Sequence, residues 1–181
     1  MIKIYIITTN TGTYVSKIIK HTLGVPYPHV SIALEDNLEK MYSLGRKYTK
    51  FVLPGGFIEE GINKGLFKAK KNTSCTVYSL YISEEQYIEL KYNIDKCIKN
   101  KKNIKYDVLS LLTLINNKNR VKHNRYVCST FVGWVLESSN IKLFDKPYSL
   151  LTPLDFYKHK LLNVEYEGLL SEYNVIKNNS L

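Results

Sequence analysis

Apolar and polar positions along the chain follow two periods, and the switches between them outline the elements. Residues 2–8, Ile2-Lys3-Ile4-Tyr5-Ile6-Ile7-Thr8, alternate like a strand with one buried face. Between Thr11 and Leu23, Val15, Ile18, Ile19 and Leu23 recur at helical spacing, and Gly24 and Pro26 stop the helix. Residues 29–34 and 38–44 read as two strands joined by the polar turn Glu35-Asp36-Asn37. Residues 45–66, with Pro54-Gly55-Gly56 and then Gly61 and Gly65, read as a long loop. Gly55-Gly56 reads as a plain turn, because no strand–glycine–helix unit surrounds it as in a phosphate loop.

Cys75 to Ile82 alternates as a further strand, and Ser83-Glu84-Glu85-Gln86 is a capping box. The box opens a helix to about Lys99, with Tyr87, Leu90, Ile94, Cys97 and Ile98 on its inner face. A helix over Val108 to Ile115 follows Tyr106-Asp107, and another runs from Cys128 to Ser138. Thr152-Pro153-Leu154-Asp155 starts a short helix, with Pro153 where no N–H is needed. The tail after Ser171 has little pattern and is expected to fray. The pattern predicts one α+β domain over residues 1–170, with residues 171–181 as a frayed C-terminal tail.

Composition narrows the class. A chain of 181 residues, 44% hydrophobic and 23% charged, suits one globular domain with a real core. Its start lacks a signal peptide's long apolar run and cleavage site, and no apolar stretch approaches the ~18 residues of a membrane span. Cys75, Cys97 and Cys128 are odd in number and far apart, which argues against a disulfide framework and a cysteine-based zinc site. A reducing, cytoplasmic home is expected, with no metal or cofactor. The net charge of +10 gathers partly at Lys68, Lys70 and Lys71, at Lys99, Lys101, Lys102 and Lys105, and at Lys118, Arg120, Lys122 and Arg125. Such clusters solubilise a surface or attract anionic partners, and the last runs directly up to Cys128. The 15 tyrosines scatter without a nucleic-acid recognition motif, so a nucleic-acid partner is not expected.

Candidate chemistry centres on Arg125-Tyr126-Val127-Cys128-Ser129-Thr130-Phe131-Val132, where a polar lead-in becomes a helix headed by a thiol. Phe131, Val132, Val135 and Leu136 follow Cys128 at the spacing of one helix face. A first-turn thiol meets unpaired N–H groups and the positive end of the helix dipole, which favour the nucleophilic thiolate. Far upstream, His29 heads the strand His29-Val30-Ser31-Ile32-Ala33-Leu34 and supplies the base such a nucleophile needs. His29, Ser31, Ala33 and Glu35 share one face, and Val30, Ile32 and Leu34 share the face expected to be buried. A base needs a group to hold its ring and tautomer. Ser43 on the next strand is the nearest polar candidate by this register, with Glu35 and Glu39 further off. His21 and His159 have no evident polar partner, and His123 is too close to Cys128 in sequence to face it across a cleft without a fold-back. Cys75 and Cys97 read as core residues.

These residues resemble a known family. His29-Val-Ser-Ile-Ala-Leu on a strand, followed far downstream by Tyr-x-Cys128-Ser-x-Phe-Val on a helix, is similar to the circularly permuted branch of NlpC-type papain-like cysteine amidases. Lecithin–retinol acyltransferase-like proteins belong to the same branch. The resemblance spans residues 1–160 and implies an antiparallel sheet packed against a cysteine-bearing helix. It implies Cys128 as nucleophile and His29 as base, and Tyr106 and Tyr126 at aromatic positions flanking the substrate cleft. The family's third group is a polar residue, often Glu or His, on the strand after the histidine, where this chain offers Ser43. The implied activity is that of a thiol hydrolase or acyltransferase working through an acyl-cysteine intermediate. Its substrate would be a peptide, a cell-wall fragment or a lipid-like acyl group, and the positive charge favours an anionic ligand. Two other readings remain open: a weakly catalytic or non-catalytic lipid- or acyl-binding module of this fold, and a basic nucleic-acid-associated protein.

Overall fold

The computed structural model describes residues 1–12, 14–46, 55–107 and 122–174. Among these residues the protein is α+β: one open sheet of eight strands, antiparallel except at one edge pair, with five α-helices. The strands are β1 (Ile2–Asn10), β2 (His29–Ala33), β3 (Met41–Arg46), β4 (Gly55–Glu60), β5 (Ser74–Ile82), β6 (Lys105–Tyr106), β7 (Arg125–Tyr126) and β8 (Asn163–Leu169). They stand in the order β7-β6-β4-β3-β2-β1-β5-β8, with β6 and β7 the parallel pair. The helices are α1 (Tyr14–Leu23), α2 (Gly65–Ala69), α3 (Glu84–Lys99), α4 (Cys128–Glu137) and α5 (Pro153–Phe156).

Both faces of the sheet are covered. On one, Ile4, Ile6, Val30, Ile32, Leu44 and Tyr78 pack with Leu90 and Ile94 of α3 and with Phe131, Val132 and Val135 of α4. On the other, Ile7, Ala33, Met41 and Val77 pack with Ile62, Phe67, Leu170 and Tyr173. Each fully buried large apolar side chain contributes roughly 1.5–3 kcal/mol. The strand β2 is therefore buried on both sides, not on the Val30–Ile32 side alone, and Ser31 and Ala33 are as buried as Val30.

α4 buries every residue from Cys128 to Gly133, and then Val135 and Leu136. A helix apolar nearly all round needs cover on both flanks. The sheet covers one, where α4 packs on β2 and β3, and the turn Tyr148–Leu150 covers another. Gly133 makes that second approach possible, since a Cβ there would lie 2.3 Å from Leu151 Cδ1 and 3.1 Å from Tyr148 Cβ.

Several elements differ from the expectation. The hairpin turn is longer than Glu35-Asp36-Asn37: β2 ends at Ala33 and β3 begins at Met41. Leu38 breaks the second strand because it adopts φ 52° and drops its side chain into the second core. Within the expected loop over residues 45–66 the structure has β4 and α2, because Phe57 is drawn into the core and residues 55–60 pair along β3. β6, β7 and β8 are further strands that local pattern did not indicate. Residues 171–174 pack on the domain: Tyr173 is buried against Tyr166 at 5.4 Å between ring centroids, and Asn174 Nδ2 donates to the Asn37 carbonyl at 3.1 Å. The expected helix Val108–Ile115, the loop residues 47–54 and the tail from residue 175 lie outside the described residues. Among the described residues no helix is long and apolar enough to cross a membrane.

Candidate active site

The thiol and the imidazole meet where α4 begins and β2 begins. Val127 caps α4 in an extended conformation (φ −98°, ψ 174°), and its N–H donates to Thr130 Oγ1 at 3.0 Å. That fixes the first turn and leaves Cys128 at its head, 5% exposed. Ser129 Oγ donates to the Leu151 carbonyl at 2.7 Å and so ties the same turn to the covering segment. Cys128 Sγ lies 3.9 Å from the carbonyl oxygen of Pro28, the residue before His29. The thiol is also within electrostatic reach of the His29 imidazole, whose pKa it helps to raise.

The other side of the imidazole is held by Glu60, at the end of β4. His29 Nε2 stands 3.1 Å from Oε1 and 3.0 Å from Oε2, with the histidine 19% and the carboxylate 10% exposed. An ionised carboxylate only accepts, so Nε2 carries the proton that faces Glu60. Glu60 is itself fixed: Ser31 Oγ donates to Oε2 at 2.7 Å and Ser43 Oγ donates to the same oxygen at 2.8 Å. Ser31 Oγ also stands 3.3 Å from His29 Nε2.

The charges reinforce one another. Burial alone would lower the His29 pKa, but the Glu60 carboxylate and the bonds to Cys128 and Glu60 hold it well above 6.5. Burial alone would raise Glu60, yet the facing imidazolium and the bonds from His29, Ser31 and Ser43 keep it below 4.5. By contrast, burial pushes the thiols of Cys75 and Cys97 up to about 12 and about 11, as expected of core cysteines.

Thus the structure brings Cys128 and His29 together and corrects the third member. Ser43 does not hold the imidazole; it holds the carboxylate that does. The pairing Ala33↔Met41 and Ile32↔Tyr42 sets Ser43 beside Ser31 rather than His29, so both serines flank Glu60. Glu60 is not among the sequence candidates because its strand falls within the span whose glycines and proline predict a loop. The available signal was the alternation in Gly56-Phe57-Ile58-Glu59-Glu60, which puts Glu60 and Ser43 on one face once β4 is paired.

The two tyrosines are paired across β6 and β7. Burial, and then the electrostatic influence of Cys128, push the Tyr106 phenol pKa up. Gly55 sets its place, because a Cβ there would come within 2.7 Å of Tyr106 Cβ. Tyr126 faces the aromatic core instead, with ring centroids 5.3 Å from Trp134, 6.2 Å from Phe131 and 6.4 Å from Tyr148. At 7% exposure it packs inward on the face that carries Val30 and Ile32, the face its partner Tyr106 shares. A groove of about 460 Å³, lined by Leu136, Ile141, Leu143 and Phe144 among others, lies toward the far end of α4. No protein-family model matches this chain, and no curated protein sequence is significantly similar to it.

Proposed function

We propose that the protein is a thiol hydrolase or acyltransferase of circularly permuted papain-like architecture, acting on an amide or ester through an acyl-cysteine intermediate. The observation that carries this reading is the Glu60-held imidazole beside a helix-heading thiol. The Cys128 thiol passes its proton to Nδ1 of His29, the ring nitrogen that does not face Glu60, and the resulting thiolate attacks the substrate carbonyl. Glu60 stabilises the resulting imidazolium without taking its proton. The Cys128 backbone N–H, at the start of α4, donates to the oxyanion, and in this reading the Tyr106 phenol is the second donor. His29 then protonates the leaving amine or alcohol, and the thioester remains. Water, or an acceptor nucleophile, attacks the thioester with His29 again as base, releasing the acyl product and restoring the thiol. Peptides, cell-wall fragments and lipid-like acyl groups all carry the required carbonyl.

The test is thiol reactivity. Iodoacetamide should alkylate Cys128 ahead of Cys75 and Cys97 in the folded protein at pH 6, as located by peptide mass mapping. His29→Ala should slow that labelling, and Cys128→Ser should abolish it. Labelling of Cys128 only after unfolding would refute the reading.

A further inference from the structure

Resting on the thiol-site reading above, we infer that the site takes a substrate carrying an anionic group, a carboxylate or a phosphate, held by Lys105 and Arg125 roughly 10 Å from the reacting carbonyl.

The inference comes from one cross-strand row. Extending the β2–β3 register places His29 beside Gly45, and a Cβ on Gly45 would lie 3.8 Å from His29 Cε1. Gly45 pairs with Gly56, Gly56 with Lys105, and Lys105 with Arg125. Residues paired directly in a sheet project to the same face. The row therefore runs from the base, across two glycines, to two cations. The row itself carries no side chain between them, but Ile58 of the same face overhangs it, its Cδ1 2.6 Å from where a Gly45 Cβ would stand, so the path from base to cations runs beside Ile58. With neighbouring strands about 4.8 Å apart, the Lys105 backbone lies about 14 Å from that of His29.

Both cations are exposed and joined by short lengths of chain to groups at the thiol. Lys105 precedes Tyr106, and Arg125 stands three residues before Cys128. Lys122 bridges back to Arg125 and adds a third exposed charge. Among the described residues, no recorded ion pair takes up Lys105, Lys122 or Arg125. Nearby carboxylates are occupied: Glu60 by His29 and two serines, Glu59 by Lys64 at 3.3 Å, and Asp107 is buried and engaged. An uncompensated lysine–arginine pair attracts carboxylate and phosphate alike.

The test compares chloroacetyl-triglycine, with its free carboxylate, its neutral carboxamide, and chloroacetyl-diglycyl-phosphoethanolamine. Each places its end group about 10 Å from the electrophilic carbon. In each, Sγ displaces chloride: the S–C bond forms as the C–Cl bond breaks, and the thiol proton passes to His29. At low salt the carboxylate or the phosphate probe should label Cys128 about fivefold faster than the carboxamide. That ratio should fall toward one in high salt and in the Lys105→Gln/Arg125→Gln double variant. Preference for the phosphate probe over the carboxylate would point to a headgroup-like anion, and the reverse to an acidic peptide or amino-acid terminus. A ratio near one in the unaltered protein, or one that survives in the double variant, overturns the inference while leaving the thiol reading intact. In Cys128→Ala protein, acetyl-triglycine should shift the amide resonances of Lys105 and Arg125. If the thiol ignores all three probes but these shifts occur, the anion site stands and the thiol reading falls; without labelling or shifts, both fall.

Discussion

Nε2 of His29 stands 3.0 Å from Glu60 Oε2, although the two residues lie on strands separated by a third. This contact orients a strand-end imidazole, and Glu60→Gln tests what it contributes to the proposed chemistry. The amide keeps the shape but loses the charge that supports an imidazolium. Turnover should fall by about 10²- to 10⁴-fold once a substrate is in hand. Alkylation of Cys128 at pH 6 should slow in the same variant. Unchanged alkylation would assign Glu60 to structure alone.

Stability should depend on pH through the same pair. Glu60 is held below 4.5 in the folded protein, so its contribution is present above that value and is lost as pH falls through the folded pKa. His29 is held well above 6.5, so its contribution is complete below 6.5 and is lost as pH rises through the folded pKa. Both contributions are full between about pH 4.5 and 6.5. Denaturation midpoints across pH should show a plateau there and a decline on either side. In Glu60→Gln both limbs should flatten, leaving a lower curve.

Ser31→Ala and Ser43→Ala should each cost about 1–2 kcal/mol of stability, because each removes a hydrogen bond to a buried charge. They should lower reactivity less than Glu60→Gln does, since either serine alone still fixes Oε2. In a Glu60→Gln background the serine effects should shrink, and a double-mutant cycle in urea reads the coupling. Ser43→Glu should destabilise sharply, because it sets a second carboxylate against Glu60 in a buried place.

Gly55→Ala probes the placement of Tyr106. The added methyl would meet Tyr106 Cβ at 2.7 Å and the Gly45 carbonyl at 3.1 Å, neither of which can swing aside as a side-chain tip can. The β4–β6 junction rests on the single pairing Gly56↔Lys105, so it should open. A loss of about 1–3 kcal/mol in chemical denaturation is expected, together with slower labelling of Cys128. A structure of the variant should show the tyrosine displaced from the thiol.

The legible parts of the molecule are those whose signals are local. The Ser83 capping box forms as expected, with Gln86 N–H donating to Ser83 Oγ at 3.2 Å and Ser83 N–H to Gln86 Oε1 at 2.9 Å. β1, β5 and the helix headed by Cys128 were likewise readable from period and cap. Glu60 was not, because Gly55-Gly56 and Glu59-Glu60 bracket only two apolar residues, and their strand exists only through pairing with β3. Leu38 carried no mark of the left-handed backbone that resets the hairpin, since that conformation is imposed by the core it fills. β8 is a polar edge strand whose exposed Val164 breaks the pattern of a buried face, and only its pairing with β5 defines it. The imidazole and thiol could be paired from the sequence; the carboxylate required the fold.

The chain order of the site has a consequence for biosynthesis. His29, Ser31, Ser43 and Glu60 all lie in the first third of the chain, on neighbouring strands of one antiparallel run. Cys128 comes to Pro28 from 100 residues downstream, carried by a segment that joins the sheet edge through β7. On the ribosome, the imidazole–carboxylate half of the candidate site is therefore translated long before its thiol. An incomplete polypeptide carries the strands without the sulfur, and the candidate site is assembled only when the late helix docks onto a sheet already able to receive it.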